Sequence, residues 1–251
     1  MKQKKDLFVF LFFLGLVALF FHPVFLKGYL PFPGDLLVAE YSPWSTYSYL
    51  GYNPGSFPNK AQYFDTLRQI YPWKILSQTL LKKGVWPLWN PYNFSGAPLL
   101  ANFQSAVFYP LNFLFLLPTG RQEILNFNLA WTILVILQPF LAGLFTYFFA
   151  REIEMKKPGA FLAAIAFSYS GFMTVFLEYN IIGQTVLWLP AIAFFFERLL
   201  KKRTFWRTFL FSLAAAMPFL AGHLPSAVFL FAFLIVYFSF RIWTQAWSPA
   251  G

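Results

Sequence analysis

Six long apolar runs alternate with shorter polar stretches along this chain. The first, Leu7 to Leu26, carries no charge and has about the length that crosses a bilayer as a helix. Five more lie near 124–150, 159–177, 181–197, 204–221 and 225–242. This pattern predicts an all-α polytopic membrane protein, a single membrane domain over 1–251 with about six transmembrane helices. Residues 27–123 break the pattern, because Pro and Gly recur too often there for a spanning helix before Asp65. Inside this insert, Leu67, Ile70, Trp73, Leu76 and Leu80 recur every three or four residues and predict an amphipathic helix over 66–83. Pro72 either kinks that helix or sets its start. Such a helix suits a membrane interface, with Trp73 and Trp86 at headgroup level. The apolar stretch from Ala106 to Pro118 is too short to cross and is read as re-entrant or interfacial.

Composition agrees with the bilayer reading. The 251 residues are 59% hydrophobic and 11% charged, where a soluble domain has about 25% charged. The absence of Cys excludes disulfides and thiolate metal sites. A net charge of +10 invites a nucleic-acid reading, but the cations stand in clusters between apolar runs. Lys2, Lys4 and Lys5 open the chain; Arg151, Lys156 and Lys157 follow the second run. Arg198, Lys201, Lys202, Arg203 and Arg207 separate the fourth from the fifth, and Arg241 closes the last. That is how cytoplasmic loops are marked, and no nucleic-acid groove is expected. The first run is longer than a signal peptide's apolar region, and no A-x-A site follows it. It is therefore read as a retained helix with its N-terminus cytoplasmic, which places the long insert (27–123) outside. His22-Pro23 is read as an interfacial helix stop, and Pro139, Pro190 and Pro218 as kinks within spans.

The sequence has no G-x-S-x-G, P-loop, H-E-x-x-H or Gly-rich dinucleotide turn, and two His without Cys make zinc improbable. Carboxylates remain: the insert holds Asp35, Glu40, Asp65 and Glu123. A carboxylate partly desolvated by aromatics suits general-base work on an acceptor hydroxyl. Two of them, Asp35 and Asp65, could instead share a divalent cation such as Mg or Mn, which would neutralise a phosphate leaving group. Plainer roles are open beside these: Asp65 as the cap of the helix from Thr66, and Asp35 as a turn residue after Pro33-Gly34. Arg68 and Lys74 suit a phosphate, or simply snorkel to headgroups. Trp89-Asn90-Pro91-Tyr92 reads as an interfacial anchor with a rigid turn, or as a sugar-stacking wall. Glu178, with Asn180 and Gln184, and His223 after Gly222 fall at turns predicted on the same side as the insert, as solvated residues or as accessories to a site.

Several stretches together resemble the YfhO family of bacterial multi-pass membrane proteins, which is similar to the GT-C class of membrane glycosyltransferases. They are Gly34-Asp35, Asp65 with Gln69 and Tyr71-Pro72-Trp73, Pro87-Leu88-Trp89-Asn90-Pro91-Tyr92, Gly96-Ala97-Pro98, Asn102-Phe103-Gln104 and Tyr109-Pro110-Leu111-Asn112. Ser170-Gly171-Phe172, Trp188-Leu189-Pro190 and Gly222-His223 also fit, although Leu224-Pro225 follows where Pro-Gln is expected. The resemblance implies a GT-C-like fold in the bacterial cytoplasmic membrane and a polyprenyl-phosphate sugar donor. It also implies inverting transfer to a cell-envelope glycan or polymer such as teichoic acid. By position it makes Asp35 the loop acid after the first span and Asp65 the second. Arg68, Lys74, Trp89, Asn90, Tyr92, Asn102, Gln104, Glu178 and His223 become substrate-binding candidates. Family members are longer, and this chain stops just past a span, so it is expected to be an N-terminal piece. The rival classes are a transporter or flippase of lipid-linked sugars, and a non-catalytic scaffold for envelope assembly.

Overall fold

The computed structural model describes residues 2–48, 51–58, 60–116 and 123–246. The helices, in chain order, are α1 (Lys2–Phe20), α2 (His22–Lys27), α3 (Asp35–Glu40), α4 (Tyr71–Lys82), α5 (Glu123–Glu152) and α6 (Lys157–Ser168). They continue with α7 (Gly171–Val175), α8 (Ile182–Val186), α9 (Trp188–Lys201), α10 (Phe205–Leu220) and α11 (Leu224–Ala246). A two-residue antiparallel ladder, β1 (Trp89–Asn90) with β2 (Ala97–Pro98), pairs Trp89 with Pro98 and Asn90 with Ala97. Among the described residues, three stretches are long and apolar enough to cross a membrane: Leu125–Glu152, Lys157–Val175 and Leu224–Thr244. Leu7–Phe20 and Phe205–Leu220 are apolar but shorter. The chain forms two compact units, one of residues 1–20, 137–174 and 181–251, the other of 21–136 and 175–180.

Prolines stand at two of the three breaks in the predicted runs. The first run ends as a helix at Phe20, and Pro23 sits in the opening turn of α2, where its missing N–H costs nothing. The run at 181–197 folds as two helices, α8 and α9, parted at Leu187. Pro190 has no N–H to give to the carbonyl of Val186, so the ladder fails there. Pro139 and Pro218, by contrast, lie inside continuous helices. The run at 159–177 is divided at Tyr169-Ser170 into α6 and α7.

The first unit is a helical bundle packed through rings and small residues. On α1, Val9, Phe13 and Val17 are buried four residues apart, one stripe of a helix. Phe13 lies so close to Gly143 of α5 that a Cβ there would come within 2.7 Å of the ring. Phe161 of α6 meets Phe12 at 4.8 Å between centroids. Around α9, α10 and α11 the core is Ile192, Ala193, Ala214, Leu230 and Leu234, and the two alanines permit close helix approach. Phe196 of α9 stacks on Phe238 of α11 at 3.9 Å.

That packing encloses an ion pair. Glu197, 1% exposed, accepts from Arg241 Nε at 2.6 Å and Nη2 at 2.7 Å, a two-point fork, while Tyr237 donates to the same carboxylate at 2.6 Å. A buried carboxylate is tolerated only when paired and hydrogen-bonded in this way.

The second unit is built around the first half of α5. Trp131 is fully buried, and its indole N–H donates to the carbonyl of Pro31 at 3.1 Å. The rings of Phe32 and Tyr71 each stand 5.5 Å from it. Phe127 packs on Tyr71 at 4.9 Å and stacks on Phe115 at 4.4 Å, and Tyr71 donates to Asn128 at 3.2 Å. One helical face thus collects segments from the start, middle and end of the insert.

Removing Arg241 leaves the buried Glu197 carboxylate without its counter-charge and with only the Tyr237 hydroxyl still donating to it. Arg241→Ala is expected to cost about 3–5 kcal/mol in detergent-solubilised unfolding, while Glu197→Leu with Arg241→Met recovers most of it. Equal midpoints for the single variant and the parent protein would show that the pair adds no stability.

Candidate functional site

The helix predicted over 66–83 begins in a wide turn. Thr66–Ile70 is a π-helical turn, in which the N–H of Tyr71 reaches back to the carbonyl of Thr66. Pro72 explains it, since its ring crowds the carbonyl four residues back and it has no N–H to offer. The turn rotates Asp65 away from the capping role. The backbone of Asp65 is itself helical (φ −64°, ψ −31°), and its side chain makes no cap hydrogen bond. One carboxylate oxygen instead accepts from Gln69 at 3.3 Å, and the other accepts from the Tyr179 hydroxyl at 2.9 Å.

Around this carboxylate lies an aromatic and charged cluster. Tyr179 packs edge-on to Tyr63 at 5.3 Å. Lys60 pairs with Glu178 at 3.2 Å and lies over the Tyr63 ring at 5.1 Å. Burial, helped by the charge of Glu178, pushes the Tyr63 phenol up to about 12. Burial, and then the bond to Asp65, push Tyr179 up as well, so it stays a proton donor at neutral pH. The Tyr63 hydroxyl is buried and finds no hydrogen-bond partner among the described residues. Asp65 and Glu178 are thus brought together, with Tyr63, Tyr179 and Lys60 as members that sequence reasoning missed. Tyr179 adjoins Glu178 and Tyr63 lies two positions before Asp65, but nothing in their spacing joins residues 114 positions apart.

Asp35 stands on another element of the same unit, as the first residue of α3. Its carboxylate meets the favourable, positive end of that short helix. Tyr41, just past the end of α3, accepts a hydrogen bond from Arg68 Nε, and the Arg68 guanidinium also lies over the Phe64 ring at 4.6 Å. A six-residue helix is about 9 Å long, so α3 spans that length between Asp35 and Tyr41, the residue that Arg68 holds. Among the described residues, no group of three or more His, Cys, Asp or Glu gathers to hold a metal ion.

A cleft of about 410 Å³ opens beside α4, lined by Tyr71, Ile75, Leu76 and Thr79 on one side and Asn90, Tyr92 and Asn93 on the other. Asn90 is buried, its carbonyl oxygen accepting from the N–H of Tyr92 at 2.9 Å, whereas Tyr92 is 81% exposed. Trp89 packs instead against Gly96, where a Cβ would come within 2.6 Å of the indole. Asn102 caps the short 3-10 turn Phe103–Ser105 through the N–H of Gln104. His223, in the other unit, takes the N–H of Ser226 on Nδ1 at 3.3 Å at the start of α11. Burial lowers its pKa, which keeps the ring neutral in that role.

Lys74 is the least expected member. The buried face of α4 is Lys74, Ser77 and Gln78, while Leu76 and Leu80 of the predicted apolar stripe remain half-exposed. The helix is inside out by the standards of water, with its polar residues inward. Lys74 donates to Asn112 at 2.9 Å, and Asn112 donates in turn to the Ala106 carbonyl at 2.7 Å. Burial pushes the ammonium down to about 7. A lysine whose folded pKa is lowered opposes folding most at low pH, because the unfolded chain binds the proton more readily. Stability should therefore rise between about pH 7 and 10, where the unfolded state holds more protons. Thermal unfolding in detergent is expected to show that rise, about 3 °C or more, and Lys74→Met to flatten it. Parallel pH profiles for the two proteins would contradict it.

Residues 65–250 match the family described as bacterial membrane protein YfhO, a range that includes Asp65, Glu178 and His223 and begins after Asp35. No curated protein and no solved structure matches the chain. With the match spanning well over half of a helical chain whose apolar segments suit a bilayer, the protein belongs to the YfhO family of bacterial membrane proteins.

Proposed function

We propose that the chain serves glycosyl transfer from a polyprenyl-phosphate carrier to a hydroxyl of a cell-envelope polymer, with residues 27–123 on the extracellular side of the membrane. The observation that carries this reading is the setting of Asp65. Its carboxylate is fixed by Tyr179, itself packed on the buried Tyr63 ring, and by Gln69, and is not spent on capping its own helix. The cleft beside α4 adds what a sugar needs: tyrosine rings for its apolar face, and Asn90, Asn93 and Thr79 for its hydroxyls.

In this reading Asp35 is the general base. It takes the proton of the acceptor hydroxyl as that oxygen attacks the anomeric carbon. The bond from this carbon to the phosphate oxygen breaks, its electron pair leaves with the polyprenyl phosphate, and the anomeric centre inverts. Asp65 is a positioning residue that accepts a hydrogen bond from the acceptor, held rigid by Tyr179. Arg68, clasped between Tyr41 and Phe64, faces the leaving phosphate. Lys74 is buried, so its part in the site is to set the shape of α4 and not to touch the carrier.

The test is transfer of labelled sugar from a polyprenyl-phosphate donor in membranes holding the full chain. Asp35→Asn is expected to lower kcat by about 10²–10⁴-fold, and Asp65→Asn chiefly to raise the acceptor KM. Tyr179→Phe, which frees one oxygen of Asp65, should cost about tenfold. Unchanged transfer by both aspartate variants at normal protein levels would sink the reading. Movement of the lipid-linked sugar across the bilayer without transfer would favour a flippase. In the cleft, Tyr92→Ala and Asn93→Ala should each raise the acceptor KM about tenfold with kcat nearly kept. A KM unmoved by either would remove the acceptor from that cleft.

A further inference from the structure

We propose that α9, α10 and α11 form a site for an anionic phospholipid at the end of the bundle marked by Arg203. A cleft of about 350 Å³ lies there, lined by Phe196, Leu199, Leu200 and Ile242 with Arg203 and Thr208. Four of these six present hydrocarbon, and Arg203 brings the charge.

The charge bookkeeping at this end selects the ligand. Glu197 is taken by Arg241, and Glu152 by Lys201 at 2.9 Å. Arg207 closes the C-terminus of α9, donating to the carbonyls of Arg198 at 2.6 Å and Lys202 at 3.3 Å. Arg203 is exposed on the short loop between α9 and α10, and no acidic residue among the described ones pairs with it. A guanidinium left over after its neighbours' acids are used, at the mouth of an apolar cleft, complements a phosphate that carries acyl chains. Phe205, Trp206 and Trp243 are 74%, 68% and 61% exposed on the same helices, the ring types that settle at headgroup depth. A free phosphate would use the one cation that lines the cleft, Arg203, and leave the hydrocarbon walls uncovered, whereas a lipid uses both.

The same cations also suit a purely topological role, which predicts no preference among headgroups. The full chain in neutral detergent distinguishes the two by its thermal midpoint against added phosphatidylglycerol, phosphatidylcholine of the same acyl chains, and inorganic phosphate. Phosphatidylglycerol is expected to raise the midpoint saturably, and the other two far less. Arg203→Glu should raise the half-saturating phosphatidylglycerol concentration about tenfold, and Lys156→Glu, an equal charge change on another loop, should leave it unmoved. Arg203→Gln, which keeps the size and removes the charge, gives the same direction if the reversal impairs folding. Equal shifts with both lipids, a full shift from inorganic phosphate, or identical behaviour of the two glutamate variants would each overturn the proposal.

Discussion

In hydrocarbon, a backbone amide or carbonyl has no water to turn to, so each segment must satisfy its own polar groups. Helices do this along their length, and a proline, which withholds a donor, is one of the places where this chain departs from the regular ladder. Pro23 opens a second helix after the first apolar run, and Pro190 parts α8 from α9. Pro72 widens the turn before α4 into a π-helix and so turns Asp65 towards Tyr179. At Pro72 the donor deficit thereby decides which polar side chains meet.

Side-chain polarity obeys a related rule. Three charged groups take partners from distant parts of the chain: Glu197 has Arg241 and Tyr237, Lys74 has Asn112, and Glu178 has Lys60. Each pairing uses residues far apart in the chain, so each fixes tertiary structure. Lys74 is the informative case, because its partner is a neutral amide and not a carboxylate. Its burial therefore shows in a lowered pKa instead of an ion pair.

The candidate site shows how a single acid gains meaning from its surroundings. Asp65 looked like a cap because of its place before Thr66, and the helical backbone at that position removes the geometry a cap needs. Tyr179 then supplies a fixed donor from a turn whose sequence had pointed to Glu178, Asn180 and Gln184 instead. Asn102 and His223, both singled out as binding residues, accept backbone N–H groups, Asn102 at a short 3-10 turn and His223 at the start of α11. Asn90 and Tyr92 share a cleft with Tyr71 and Asn93.

The order of apolar runs and cationic clusters, readable without any coordinates, determined an all-helical membrane protein with a polar-aromatic insert. Hydropathy and charge act locally and leave their mark residue by residue, and the motifs of the insert carried the family in the same way. Which face of α4 turns inward was not legible. The stripe of Leu67, Ile70, Trp73, Leu76 and Leu80 suited a membrane interface, and of these Ile70 is buried while Leu76 and Leu80 stay half-exposed; the inward side of α4 is Lys74, Ser77 and Gln78. Periodicity says that a helix has two faces, but only its neighbours say which one is covered. Here those neighbours are Asn112 and Phe115, almost forty residues on. The same holds for Trp131 with Pro31 and Asp65 with Tyr179: contacts across a hundred positions depend on how elements pack, and no short-range pattern records them.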